Sequence, residues 1–174
     1  MAIELYDLSV ANYLQTLGAL EGILTKGAAF AAETGVDLTE IVDTRVHPDM
    51  FPFSFQVVSA CRHSLGAIQG AKAGVFTPPG KAPEGGYPAL QKLVADSIAA
   101  LKAESREEIN ALQGKDMVFK LSEDFKLPFT VENFILSFSL PNFYFHSTTT
   151  YAILRQRGVK LGKRDFMGAM RMKT

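Results

Sequence analysis

Four stretches of this 174-residue chain carry apolar side chains at intervals of three and four, the spacing that lays them along one face of an α-helix. In the first, Val10, Tyr13, Leu14, Leu17, Leu20 and Leu24 share a stripe, with Ser9 placed to cap it and Gly35 to end it. This spacing predicts a helix from about Val10 to Thr34. The second stretch runs from Ser54 to Gly74 through Phe55, Val58, Arg62, Leu65 and Ile68, and Ser59, His63, Gly66 and Gly70 lie on a neighbouring stripe rich in small residues. In the third, Leu90, Leu93, Val94, Ser97, Ile98 and Leu101 predict a helix from about Pro88 to Glu104, because proline is accepted in a first helical turn. The last begins after Thr130 and is stopped by Gly158. Its Pro141 has no N–H for the helical ladder and clashes with the turn before it, so a kink or a division is expected there. An apolar helix face must be covered by another, and four such faces predict an all-α fold, a four-helix bundle.

The connections are not all short. Asp37 and Glu40 have capping-box spacing ahead of Ile41 and Val42, which predicts one short helical turn, and Pro48 to Pro52 then punctuates the chain. Residues 78–88, with three prolines before Gly85-Gly86, form a loop by composition. Met117 to Leu121 and Phe125 to Phe129 alternate over short lengths around Ser122-Glu123-Asp124, predicting a small extended hairpin or strap before the last helix. No internal repeat is present.

At this length a single domain over residues 1–174 is expected, since one core rarely divides below roughly 250 residues. With 47% hydrophobic and 21% charged residues the composition is that of a globular protein and excludes disorder as the main state. No apolar run approaches the roughly 18 residues that cross a bilayer, and Met1-Ala2-Ile3-Glu4 lacks the basic and apolar regions of a secretion signal, so a cytoplasmic protein without a membrane partner is expected. The lone Cys61 cannot form an internal disulfide. Residues 1–50 hold eight acids against Lys26 and Arg45, whereas residues 155–174 hold seven bases against Asp165, so the two ends are expected to attract each other. A sequence pI of about 6.8 argues against nucleic acid as a partner of the basic end.

Only His47, His63 and His146 supply imidazole, one each from the first crossover, the second helix and the last helix. A metal site in a bundle core draws ligands from different helices, but no His-x-x-x-His pair places two on one face. His146 stands in an aromatic and aliphatic run, where an imidazole must be hydrogen-bonded or must face a cavity. One reading is a core histidine bonded to Tyr144, a threonine or a carbonyl. The other is a pocket between the second and last helices, lined by His63, His146, Tyr144, Thr150, Phe143 and, from the crossover, His47. His146 would then be a metal ligand or general base and His63 a second ligand. Cys61 and His63 point to different sides of a helix, and a free cysteine is most often a small buried apolar group.

Several blocks carry a resemblance: Pro48-Asp49-Met50-Phe51-Pro52, Phe55-Gln56-Val57, Pro141-Asn142-Phe143-Tyr144-Phe145-His146, Tyr151-Ala152-Ile153-Leu154-Arg155 and Gly162-Lys163-Arg164-Asp165-Phe166. In the same order over nearly the whole chain they resemble domain-of-unknown-function family nineteen-ninety-three, which is grouped with the DinB/YfiT-like metalloenzymes. The resemblance implies an up-down-down-up four-helix bundle, a homodimer and a divalent transition metal as candidate cofactor. Metal-bound members of that superfamily have one histidine on the second helix and two, four residues apart, on the last. Here His63 lies near the first position and His146 matches the second, but Thr150 stands where the third is expected. Three roles remain open: a metal- or small-ligand site, a non-catalytic binding module, and a dimeric scaffold.

Overall fold

The computed structural model describes residues 3–173; Met1, Ala2 and Thr174 lie outside them, and with these the start of the opening read for a secretion signal and the last residue of the basic end. A short α1 (Leu5–Leu8) leads into α2 (Val10–Thr34), which ends on Gly35 at φ 75°, a left-handed conformation open to glycine at little cost. Asp37 caps α3 (Leu38–Asp43) by accepting the Thr39 N–H at 2.8 Å. The second predicted helix is divided into α4 (Phe53–Arg62) and α5 (Leu65–Ala73). Then come α6 (Gly86–Lys102) and the short α7 (Arg106–Asn110). The last helical region is α8 (Val131–Phe134), a π-helical turn (Ile135–Ser139), and α9 (Leu140–Gln156), followed by α10 (Lys163–Met167).

Four long helices cover one another's apolar faces: α4 packs on α9 and α6, and α2 packs on α6 and α9. Between them Tyr13, Phe53, Tyr87, Phe143 and Ile153 are almost wholly buried. Tyr13 meets Phe143 edge-on at 5.1 Å, and Phe53 stacks on Tyr87 at 5.6 Å.

The expected all-α fold with a small hairpin or strap before the last helix is corrected in one respect: the hairpin is part of a three-stranded sheet. The strap is a hairpin of β2 (Asp116–Lys120) and β3 (Lys126–Thr130), and β1 (Val75–Phe76) pairs with β2 in parallel, making a three-stranded sheet. A two-residue strand has no periodicity to read in sequence. It exists because Phe76 is buried against Phe119, Phe134 and Phe138, with ring centroids 5.1 to 6.3 Å apart.

The two divisions of long helices have separate causes. After α4 the Ser64 hydroxyl bonds the carbonyls of Ala60 (2.8 Å) and Cys61 (3.1 Å), competing with the backbone ladder, and the Ala67 N–H turns to Ser64. Pro141 neither breaks nor sharply divides the last region. The turn before it widens so that the Leu140 N–H reaches the Ile135 carbonyl five residues back, which relieves the clash between the proline ring and the helix.

Among the described residues, the ion pair that joins the acidic start to the basic end with the expected polarity is Arg157–Glu40, at 2.8 Å. Lys26–Asp165, at 2.6 Å, has the opposite polarity, and Arg171 meets the neutral Asn12. No helix among the described residues is long and apolar enough to cross a membrane.

Candidate functional site

Both irregularities point to one place. The break after α4 frees the His63 carbonyl from the helical ladder, and Ser139, at the end of the π turn, donates its hydroxyl to that carbonyl at 2.6 Å. Because the single Ser139 proton is spent there, the buried Tyr13 hydroxyl, 2.7 Å away, must donate to Ser139 Oγ. This three-residue chain clamps the His63 end of α4 to the start of α9. It sets the His63 ring nearly parallel to that of His146, with centroids 5.9 Å apart and planes 15° off.

Gln56, Ser59 and His63 lie on one stripe of α4 by their three- and four-residue spacing, and His146 reaches across it. Gln56 Nε2 donates to the Phe51 carbonyl at 2.9 Å, which leaves Oε1 facing His146 Nδ1 at 2.8 Å. A carbonyl oxygen only accepts, so His146 carries its proton on Nδ1 and keeps a free lone pair on Nε2. His63 is 5% exposed and His146 partly exposed. Burial, reinforced by His146 and Arg62, pushes the His63 pKa down to about 3, and burial brings His146 down to about 4. Both rings are neutral at pH 7.

Of four buried side-chain polar atoms without partners among the described residues, three lie on or at the end of these two helices and the fourth is Thr130 Oγ1 on β3. Ser59 Oγ and His63 Nδ1 on α4, and Ser147 Oγ beside His146 on α9, have no hydrogen bond within the protein. Native proteins seldom leave such groups unpaired, because each costs roughly 1–3 kcal/mol. Aromatic rings border the partly open side: Phe55 at 5.9 Å and Phe145 at 5.2 Å from His146, with Phe51 stacked on Phe55 at 4.1 Å.

Of the residues singled out in the sequence, the fold brings His63 and His146 together. Thr150 is wholly buried on the same side of α9, its hydroxyl donating to the His146 carbonyl at 2.9 Å. Phe143 is core, packed on Tyr13. Tyr144 is half exposed and lines an apolar cavity of about 430 Å³ with Val46, Met50 and Phe145. His47 is exposed and pairs with Asp49. Cys61 is buried beside Ser97 and its thiol is pushed up to about 12, so it is no thiolate at neutral pH. Gln56 and Ser139 were not singled out. The signal for Gln56 was a polar stripe with Ser59 and His63 on an apolar helix; Ser139 had only its place two residues before Pro141.

A transition-metal centre with an open position needs three protein ligands. Among the described residues no group of three His, Cys, Asp or Glu side chains is placed to share an ion. Thr150 offers a neutral hydroxyl bound to a carbonyl, and Gln56 Oε1 is committed to His146. The residues do not fit a three-ligand metal.

No curated protein matches the chain. Among solved structures, a DinB family member protein from Shewanella denitrificans is 28% identical, with a TM-score of 0.77 over 98% of this chain and 95% of that one. The family model described as Domain of unknown function (DUF1993) matches residues 5–167, and the chain is a DinB-like protein that belongs to the DUF1993 family.

Proposed function

We propose that this chain is a DinB-like four-helix bundle that holds a small uncharged ligand between α4 and α9, by hydrogen bonds to its two imidazoles and without a metal. The observation that carries this reading is the bond between Gln56 and His146, which fixes the ring's tautomer and leaves Nε2 as an acceptor beside the unpartnered Nδ1 of His63. A ligand with one O–H or N–H donor and an aromatic or apolar body would satisfy that lone pair and pack on Phe55 and Phe145. Binding is favoured over general-base catalysis. A base that protonates near pH 4 lies about three units below the neutral range in which proton abstraction is efficient.

The test is a ligand-observed NMR titration of the full chain with phenol and with anisole, which has the same ring but no donor. Phenol should bind saturably, anisole at least about tenfold more weakly, and His146→Phe should remove the difference, since one neutral hydrogen bond to a buried acceptor is worth roughly 1–1.5 kcal/mol. Equal binding of the two would reject the hydrogen-bonding role of His146. Zinc, nickel, iron or manganese that raised the melting temperature through His146 would reject the metal-free version, because binding at about a hundred times Kd adds roughly 2.7 kcal/mol.

A second reading, a homodimer, is favoured by the apolar band beside the site. Phe51 is 60% and Phe145 55% exposed, and Val46 and Tyr144 continue the band.

A further inference from the structure

Arg62, the last residue of α4 and the neighbour of His63, turns its guanidinium to Thr77 and the Phe76 ring. Its Nε donates to the Thr77 carbonyl at 2.8 Å and its Nη2 to Thr77 Oγ1 at 2.9 Å, and its guanidinium lies 4.4 Å over the Phe76 ring. No carboxylate among the described residues comes within salt-bridge distance of it. Two N–H groups on Nη1 and one on Nη2 remain unspent. Nη1 lies over Gly66, where an added Cβ would come within 2.9 Å of it and 2.8 Å of Arg62 Cδ, so the bare backbone of α5 makes room for the side chain.

Arg62 borders a cavity of about 190 Å³ between α4, α5 and α6, with Gly80 of the loop after β1 at its edge. Val58, Leu65 and Leu93 give the cavity apolar walls, Gln69 and Ser97 give neutral polar groups, and no acid lines it. A cavity of about 150 Å³ accepts benzene, so the space suits a ligand of about six heavy atoms. We propose that this cavity binds a short-chain monocarboxylate, its two oxygens held by the free Nη1 and Nη2 hydrogens of Arg62 and its aliphatic tail lying against Val58, Leu65 and Leu93.

Three features select this chemistry. A guanidinium end presents two parallel donors that match a carboxylate, and a partly desolvated cation gains most from an anion that neutralises it. Burial already lowers the Arg62 pKa, the sign expected for a charge lacking compensation. Only one cation lines the cavity, so a dianionic phosphate would keep a charge unmatched against apolar walls. The thiol of Cys61 lines the same space as a neutral wall and takes no part.

The experiment is a ¹H–¹⁵N NMR titration of the full chain with butyrate, with its uncharged isostere butanamide, and with inorganic phosphate. Butyrate should shift the amides of Gly66, Gln69, Gly80 and Ser97 saturably, and butanamide and phosphate at least about tenfold more weakly. Arg62→Gln should cost butyrate at least about tenfold and Arg62→Lys somewhat less, because the charge remains but the fork is lost. If Arg62→Gln loses its dispersed spectrum, Gly66→Ala, which displaces the guanidinium while keeping its charge, serves instead and should weaken butyrate in the same direction. Butanamide binding as well as butyrate, phosphate binding better than butyrate, no saturable shift with butyrate, or undiminished butyrate binding by a folded variant would each overturn the proposal.

Discussion

Replacing Ser139 by alanine should harm this protein more than replacing Tyr13 by phenylalanine, although each removes one hydroxyl. Tyr13→Phe deletes the outer donor of the chain Tyr13–Ser139–His63 and leaves Ser139 still bonded to the His63 carbonyl at 2.6 Å. Its cost is that of one net hydrogen bond, about 1 kcal/mol. Ser139→Ala loses two bonds at once and strands two groups: the Tyr13 hydroxyl, in a residue with no exposed surface, and a carbonyl that the helix break has already deprived of its ladder partner. At roughly 1–3 kcal/mol for a buried unsatisfied group, the expected cost is about 2–4 kcal/mol. The double variant should then be more stable than the sum of the singles predicts, by about 1–2 kcal/mol, since no tyrosine hydroxyl is left to strand. Urea unfolding followed by circular dichroism reads this as shifts in midpoint at constant slope. Two single variants of equal cost that add without coupling would refute the chain of bonds, as would a Ser139→Ala protein as stable as the wild type.

Three further outcomes follow from the geometry. Gly27→Ala should destabilise by about 2 kcal/mol or more, because the new Cβ would lie 2.2 Å from the buried Tyr87 hydroxyl, whereas Gly18→Ala and Gly22→Ala, with nothing within 4 Å, should stabilise α2 by about 0.5–1 kcal/mol; thermal melts of the three decide it. The His63 pKa is about 3 folded against 6.5 unfolded, so between those values the unfolded chain binds more protons and stability falls as the pH drops, at up to about 1.4 kcal/mol per unit. The carboxylates of Asp7, Glu132 and Asp165 are held below their ordinary values and act in the same direction only at about pH 4.5 and lower. Burial holds His146 at about 4, so it adds a similar slope over the same range, and His63→Phe, accepted among Phe76 and Phe138, should therefore roughly halve the fall of urea midpoints between pH 6.5 and 4.5; an unchanged slope there would count against a neutral buried His63. Phe145→Glu should shift sedimentation toward monomer at concentrations where the wild type is dimeric; a monomeric wild type would dispose of the homodimer.

Where local pattern decided the outcome, the sequence was readable. The limits of α2 follow from its apolar stripe and from Gly35, and the hairpin β2–β3 follows from alternation around a polar turn. Features decided by contacts distant in the chain were hidden. Whether Ser64 uses its hydroxyl on Ala60 and Cys61 depends on whether something else takes the carbonyl released, and that group is Ser139, 76 positions from His63. Pro141 signalled a disturbance in the last helix without saying that the turn before it would widen. The site was half legible for the same reason. The odd imidazole in an aromatic helix pointed to His146, but its partner Gln56 is 90 positions away and its orientation depends on the Phe51 carbonyl. Thr150 raised doubt about a third ligand from spacing alone, and the carbonyl it bonds explains what it does instead.

The parallel pairing of Val75 with Val118 and of Phe76 with Phe119 fixes an order of assembly. Its two halves are separated by the whole of α6 and α7, so closing that loop costs entropy that a strand of two residues cannot repay until those helices have docked. The β2–β3 hairpin needs no such wait. The Val118 amide, which donates to the Gly74 carbonyl, should accordingly resist hydrogen exchange until the whole molecule opens, while the Leu121 amide at the hairpin tip exchanges through local fraying. Those two amides are built-in reporters of whether the sheet is sealed by the helices around it.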